Sequence, residues 1–175
     1  QYCQALAEQY SGHPSLKGIS QIDLVAPDFE ATYPALQGRF SNLYSLNVVE
    51  HIENDQQAIR NCAKLLKPGG KLIILVPAYP WLYNRFDKEL YHYRRYTHDM
   101  MASCFESGGF NLIDSFHLNA VGILGWFVSG AILRHKTIPS YQMSLYERLV
   151  PYIKQVDKLV ASKLGLSLVM IGEKR

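Results

Sequence analysis

Residues 79–96 hold a dense run of side chains able to do chemistry: Tyr79, Trp81, Tyr83, Asp87, His92, Arg94, Arg95 and Tyr96. A histidine titrates near neutrality, so His92 can take a proton from a hydroxyl acceptor or hold that acceptor in place. Tyr96 joins it as the second candidate catalytic group. Arg94 and Arg95 offer the guanidinium fork that binds carboxylate or phosphate, and Tyr79 and Tyr83 offer aromatic walls; these four are the candidate substrate contacts. One arginine is equally suited to a structural pairing with Asp87, Glu89 or Asp99. His92 and His98 lack a third ligand with the right neighbourhood, so no metal is expected. No Ser-His-Asp or reactive-cysteine context supports a hydrolase.

The segment from Pro77 to Tyr96 has too little apolar period for a regular element and reads as a loop. It follows Leu72 to Val76, a continuous apolar run of strand length, as expected of a strand covered on both faces. Before that run, Asn54 to Leu66 carries a helical stripe of Ile59, Cys62, Leu65 and Leu66, with Asn54 or Asp55 as cap and Lys67-Pro68-Gly69-Gly70 as a terminating turn. Asn42 to Asn47 reads as a strand, which completes a parallel strand–helix–strand unit. Ligands of open α/β sheets sit at the carboxyl ends of strands, so Leu46, Asn47 and Val48 should line the floor of a site that the 77–96 loop faces. Glu50 either suits a helix N-terminus electrostatically or touches the site, and His51 either packs in the core or touches the site.

Flanking segments fill out the domain. Tyr2 to Tyr10 is helical, Leu16 to Val25 alternates loosely toward a strand ending in Asp23-Leu24, and Pro27 to Gly38 is loop. Thr97 caps a helix that stops at Gly108-Gly109, and Phe110 to Leu118 reads as a strand. Ala120 to Leu133 is apolar and broken by Gly122, Gly125 and Gly130; it reads as a buried helix or one packed on a second subunit. The sharper alternative is a hydrophobic lid for a lipid-like acceptor. Leu145, Leu149, Ile153, Val156, Val160 and Leu164 mark an amphipathic helical region with Pro151 as a point of division, and Leu166 to Ile171 is a closing strand.

At 175 residues with 48% hydrophobic content, the chain suits one domain with a real core. Its net charge of +3 comes from scattered basic residues, so nucleic acid is not an expected partner. Cys3, Cys62 and Cys104 show no CxxC spacing, which fits a reducing cytoplasm. No apolar run reaches the roughly 18 to 20 residues that span a bilayer, and no signal peptide is visible.

Three motifs carry a family likeness. Asn47-Val48-Val49-Glu50-His51-Ile52 and Leu65-Leu66-Lys67-Pro68-Gly69-Gly70 resemble class I S-adenosylmethionine-dependent methyltransferases, whose strand 4 often closes on Asn-Val-(Leu/Val)-Glu-His-Ile and whose strand 5 is introduced by Leu-Lys-Pro-Gly-Gly. Tyr91-His92-Tyr93-Arg94-Arg95-Tyr96-Thr97 resembles a His-x-Arg-Arg-Tyr-Thr element in a subset of bacterial methyltransferases, some encoded beside or fused to glycosyltransferases. The resemblance implies an α/β, Rossmann-like methyltransferase sheet with flanking helices. It also implies S-adenosylmethionine as cofactor and methyl transfer to an oxygen, nitrogen or carbon nucleophile of a small, medium-sized or lipid-like acceptor. Asp23 would accept a hydrogen bond from the adenine amine while the next N–H, that of Leu24, meets a ring nitrogen; Leu46, Asn47, Val48 and His51 complete the implied cofactor-binding set.

Two holds that the family places upstream are missing from the sequence, the Gly-rich turn after strand 1 and the acidic residue ending strand 2. Residues 1–175 are therefore expected to form the C-terminal part of one methyltransferase-like domain, N-terminally incomplete, with a mostly helical insertion at about 120–163. A homo-oligomer is compatible with the small residues of that insertion. The competing reading is a non-catalytic, methyltransferase-like binding or assembly module. A nucleotide-dependent oxidoreductase ranks last, since it too needs a Gly-rich turn.

Overall fold

Leu72, Ile74 and Val76, at every second position of one strand, are wholly shielded from solvent, and the residues that shield them define the architecture. The computed structural model describes residues 2–132, 140–160 and 162–175. In chain order its elements are α1 (Tyr2–Gln9), α2 (Phe29–Thr32), β1 (Phe40–Leu46), α3 (Asp55–Leu65), β2 (Leu66–Pro77), α4 (Arg85–Glu89), α5 (His98–Ser107), β3 (Phe110–Leu118), α6 (Ala120–Trp126), α7 (Ser140–Leu159) and β4 (Ser167–Lys174). The strands form one sheet in the order β1-β2-β4-β3. β1 and β2 run parallel, with Leu43 opposite Leu72 and Leu46 opposite Leu75, while β4 is antiparallel to both β2 and β3.

That register sends Leu72, Ile74 and Val76 to the same face as their β4 partners Gly172, Met170 and Leu168. α3 and α5 pack there through Ile59, Cys62, Met101, Cys104 and Phe105. Gly172 is required by this packing, because a Cβ would come within 2.5 Å of the Phe105 ring. Coverage on both faces is not what the described residues provide: Tyr44 and Leu46 of β1 are 70% and 58% exposed on the opposite face, next to Ile73 and Leu75. An alternating strand needs only one dry face to be held in register.

The predicted helix over Asn54 to Leu66 is present, and Asn54 rather than Asp55 is its cap, its side chain accepting from the Gln57 N–H. Four sequence expectations change. Leu16 to Val25 makes no strand: a strand exists only with a hydrogen-bonded neighbour, and among the described residues the outer edge of β1 pairs with nothing. Lys67 to Gly70 is not a separate turn but a bulge inside β2, since Phe40 pairs with Leu66 and Asn42 with Lys71; Gly69 takes φ 71°, a conformation that favours glycine. The 77–96 loop contains a real helix, α4, because Asn84 and Asp87 close a reciprocal capping box. α7 continues through Pro151, which removes one helical hydrogen bond without breaking a helix that packs against α6. The 120–133 stretch is α6 followed by a wider turn at Phe127–Ile132, half-buried, with Ile123 inside and Leu124 69% exposed. Leu133 and the side chain of Leu145 lie outside the described residues.

In place of a strand, side chains hold the 23–26 segment. Buried Asn61 on α3 donates from its amide to the Leu24 and Ala26 carbonyls at 2.8 and 3.2 Å, and the Asp23 N–H donates to the Tyr33 hydroxyl. Asn61→Ala should therefore cost about 1–3 kcal/mol in urea unfolding, with faster amide exchange confined to residues 23–26. An unchanged exchange pattern would show that Asn61 does not anchor this segment.

Candidate functional site

Parallel pairing sets the tips of β1 and β2 side by side, and the Asn47 N–H continues the ladder by donating to the Leu75 carbonyl at 2.9 Å. Asn47 then turns into the left-handed region at φ 53°, which asparagine tolerates better than most residues. Leu46, Asn47 and Val48 are all exposed at this tip. In the 23–26 segment, Asp23 accepts from the Val25 N–H through Oδ1, while the Leu24 side chain packs into the core. No hydrogen bond to the Leu24 N–H is present among the described residues. A carboxylate acceptor thus stands beside a free backbone donor.

The 77–96 segment returns to the same edge. The Tyr96 N–H donates to the Pro77 carbonyl and the Tyr79 N–H to the Tyr96 carbonyl, both at 2.9 Å, and the Tyr93 N–H donates to the Glu50 carbonyl at 2.8 Å. Beneath this backbone sits Asp87, fully buried. Its Oδ1 meets His92 Nδ1 at 2.9 Å and Arg95 Nε at 2.8 Å, and its Oδ2 accepts from the Asn84 N–H and from Trp126 Nε1. Burial alone would raise the Asp87 carboxyl, but the His92 hydrogen bond, the Arg95 charge and the Asn84 N–H together hold it below the usual carboxylate range. Arg95 is itself buried, donates to the Ala78 carbonyl, and lies 4.5 Å from the centre of the Trp126 ring.

Several predicted contacts are thereby committed to the fold. Arg95 has no exposed surface to offer a substrate, and Arg94 is tied to Asp55 Oδ2 at 2.6 Å and to the Glu53 carbonyl. Tyr96 is buried and donates to the same Asp55 oxygen at 2.9 Å; burial, then the Asp55 charge, push its phenol well above the ordinary range. Tyr83 donates to the His92 carbonyl at 2.7 Å. Tyr79 stacks flat on His117, 5.4 Å between ring centres, with Trp81 beside it. His117 was not visible as a site residue in the sequence, since it sits inside an ordinary strand pattern. Cys62 and Cys104 are buried thiols pushed up to about 12 and about 11 by burial, and so are unreactive.

His92 keeps its other ring nitrogen for work, and its neighbours are unexpected. The His51 ring meets it edge-on at 4.7 Å between centres, and one ligand atom each from Glu50, His51 and His92 lie within 4.8 Å of one another. Glu50 is fully buried, and neither carboxylate oxygen has a hydrogen-bond partner among the described residues; desolvation raises its pKa against the pull of the nearby His92, His51 and Arg95. Spacing could not show this group, because forty residues separate His51 from His92.

Comparison with known proteins gives the fold a context. Residues 2–74 match a family described as methyltransferase domain. A curated relative, ubiquinone biosynthesis O-methyltransferase of Coxiella burnetii (strain Dugway 5J108-111), is 29% identical over 89 residues, covering 43% of this chain and 38% of the relative. The chain thus spans well under half the length of that protein. Among solved structures, a Galdieria sulphuraria protein provisionally assigned as a sarcosine dimethylglycine methyltransferase superposes with a TM-score of 0.56 at 13% identity, covering 98% of this chain and 64% of that one. The [4+2]-cyclase SpnF gives 0.50 at 15% identity over 89% of this chain and 54% of its own. At such identities the likeness is one of fold, and SpnF illustrates that this sheet hosts more than one chemistry.

Replacing Asp87 by Asn leaves the Arg95 guanidinium buried without its counter-charge, which should cost about 3–5 kcal/mol at neutral pH. A carboxyl held low in the folded state stabilises above its ordinary range and loses that contribution as pH falls through the lowered value. The gap between wild type and Asp87→Asn should therefore narrow in acid, as read by urea unfolding at both pH values. A gap independent of pH would mean that the carboxylate charge is not what matters.

Proposed function

We propose that this chain is part of a class I S-adenosylmethionine-dependent methyltransferase and that its parent protein methylates an oxygen of a small hydroxylated acceptor. The observation that carries this reading is the anchored histidine, His92, set on the loop that leaves the carboxyl end of β2, beside the tip of the parallel strand β1; Asp23 and Leu24 are proposed as the adenine contacts. The adenine edge offers an amine donor beside a ring-nitrogen acceptor. The outward Asp23 carboxylate and the unpaired Leu24 N–H are the complementary acceptor and donor. The residues present thus fit the adenine end of the cofactor, with Leu46, Asn47, Val48 and His51 as further contacts at the strand tip.

When bound, the cofactor supplies a methyl group already activated by its sulfonium. What remains for the protein is to align the acceptor, exclude water and manage a proton. Tyr79, Trp81 and His117 form an aromatic wall at the same edge, suited to a planar acceptor. Asp87 fixes the His92 ring through Nδ1, so Nε2 is the nitrogen left to hold or receive the acceptor's proton. Arg94, Arg95, Tyr83 and Tyr96 act one step back, keeping the loop in place. The likeness to a ubiquinone biosynthesis O-methyltransferase supports oxygen as the nucleophile and a small molecule as the acceptor.

In the full protein, Asp23→Ala should weaken S-adenosylmethionine about tenfold by calorimetry, the worth of one charge-assisted hydrogen bond. His92→Ala should leave that affinity unchanged while slowing methylation of a dihydroxyaromatic probe by about a hundredfold. Equal turnover with and without His92 would remove it from the chemistry, and no S-adenosylmethionine binding by the full protein would end the reading.

A further inference from the structure

We propose that Glu50, His51 and His92 bind a divalent first-row metal ion such as zinc at the acceptor end of this site. The observation that points to a ligand is Glu50. Its side chain is fully shielded and both carboxylate oxygens lack partners. Ionised, it is a buried charge with no hydrogen bond; protonated, it is a buried hydroxyl with no acceptor. Either state is costly in apolar surroundings. The chain has not supplied a donor, although it has placed two imidazoles against the carboxylate instead. A cation would satisfy the carboxylate and both rings at once.

Chemistry and geometry agree with that reading. Two histidines and one glutamate are a set that zinc uses in catalytic sites, leaving a position open for water or substrate. The ligand atoms already lie within 4.8 Å of one another, so small side-chain rotations bring them to a common centre. His92 also has the outer partner typical of a metal-bound imidazole: its Nδ1 is held by the Asp87 carboxylate at 2.9 Å, which fixes the ring and leaves Nε2 to the ion. His51 is exposed while Glu50 is not, so the group has a route from solvent on one side and a dry floor on the other. Asp87 and Arg95 pair directly next door, and Glu50 has no ion-pair partner of its own among the described residues.

This inference refines the part given to His92 above. With the ion in place, the acceptor oxygen would bind the metal, which lowers the pKa of a coordinated hydroxyl, and His92 would act through the ion rather than as the base itself. Metal binding can nonetheless be read without turnover. Full protein stripped with a chelator should take up one equivalent of Zn2+ by calorimetry, and Co2+ should give the visible absorption of a nitrogen–oxygen site. Glu50→Gln and His92→Ala should each weaken Zn2+ at least tenfold, and Asp87→Asn by roughly ten- to a hundredfold through loss of the outer hydrogen bond. His98→Ala should bind as wild type does. Zn2+ should also raise the melting temperature of wild type but not of Glu50→Gln, and exposed His51→Ala serves where a buried substitution prevents folding. No uptake by the stripped protein, or undiminished affinity in Glu50→Gln, would overturn the proposal. If S-adenosylmethionine still binds in that case, methyl transfer stands with His92 as base; if zinc binds and S-adenosylmethionine does not, the metal site stands and methyl transfer falls.

Discussion

One buried carboxylate governs the geometry of the 77–96 segment. Asp87 takes four donors from three directions: the Asn84 N–H at the start of α4, His92 and Arg95 from the returning loop, and Trp126 from α6. In a solvated setting such contacts would contribute little and shift freely. At zero exposure each lost donor leaves charge or polarity unpaired, at a cost of several kcal/mol. Net domain stability is only about 5–15 kcal/mol, so the fold has little room to rearrange these partners one at a time. The loop, the short helix and α6 are consequently locked as a unit. Gly130 extends the lock, since a Cβ there would strike the Asn84 side chain at 2.5 Å.

The Arg94-Arg95-Tyr96 run follows from this constraint together with the period of an extended chain. Successive side chains of an extended segment point to opposite sides. Arg94 and Tyr96 both reach Asp55 at the head of α3, and Arg95 between them reaches Asp87. Two acidic residues on opposite flanks thus clamp three consecutive side chains, and the backbone between them is stitched to Glu50 and Pro77. The arginines look like anion binders when read singly, because a guanidinium fork suits phosphate as well as carboxylate. Their adjacency carries the real information. A lone surface arginine has no need of a neighbour two positions away sharing its partner.

Elements whose identity rests on local period were readable from the residues alone. Ile59, Cys62, Leu65 and Leu66 mark α3, Thr97 caps α5, and the apolar run at Leu72 marks β2. Elements that depend on remote neighbours were not. Leu16 to Val25 has strand-like residues but finds no pairing partner, and α4 is five residues long with only a capping box to announce it. The site divides in the same way. The strand-tip residues Leu46, Asn47 and Val48 follow from topology, and His92 from its side chain. The closeness of Glu50, His51 and His92 arises because the Tyr93 N–H pairs with the Glu50 carbonyl across more than forty residues, a contact without local signature.

The two sides of the candidate site differ in how firmly they are held, and this bears on how such a sheet acquires different chemistries. On the acceptor side, buried ion pairs and stacked rings fix side chains to within a hydrogen bond's tolerance. On the side proposed for adenine, Asp23 is exposed and its segment hangs on one asparagine amide and one tyrosine hydroxyl. A floor that contacts its ligand largely through backbone and one carboxylate tolerates such looseness, because the ligand itself completes the order. A proton or an oxygen lone pair does not tolerate it, since reactivity falls steeply when groups are displaced by about 1 Å. The residues that distinguish one member of this fold from another should therefore be those rigidly seated beyond the strand tips. In this chain His92 is the clearest of them, held by the buried Asp87 network.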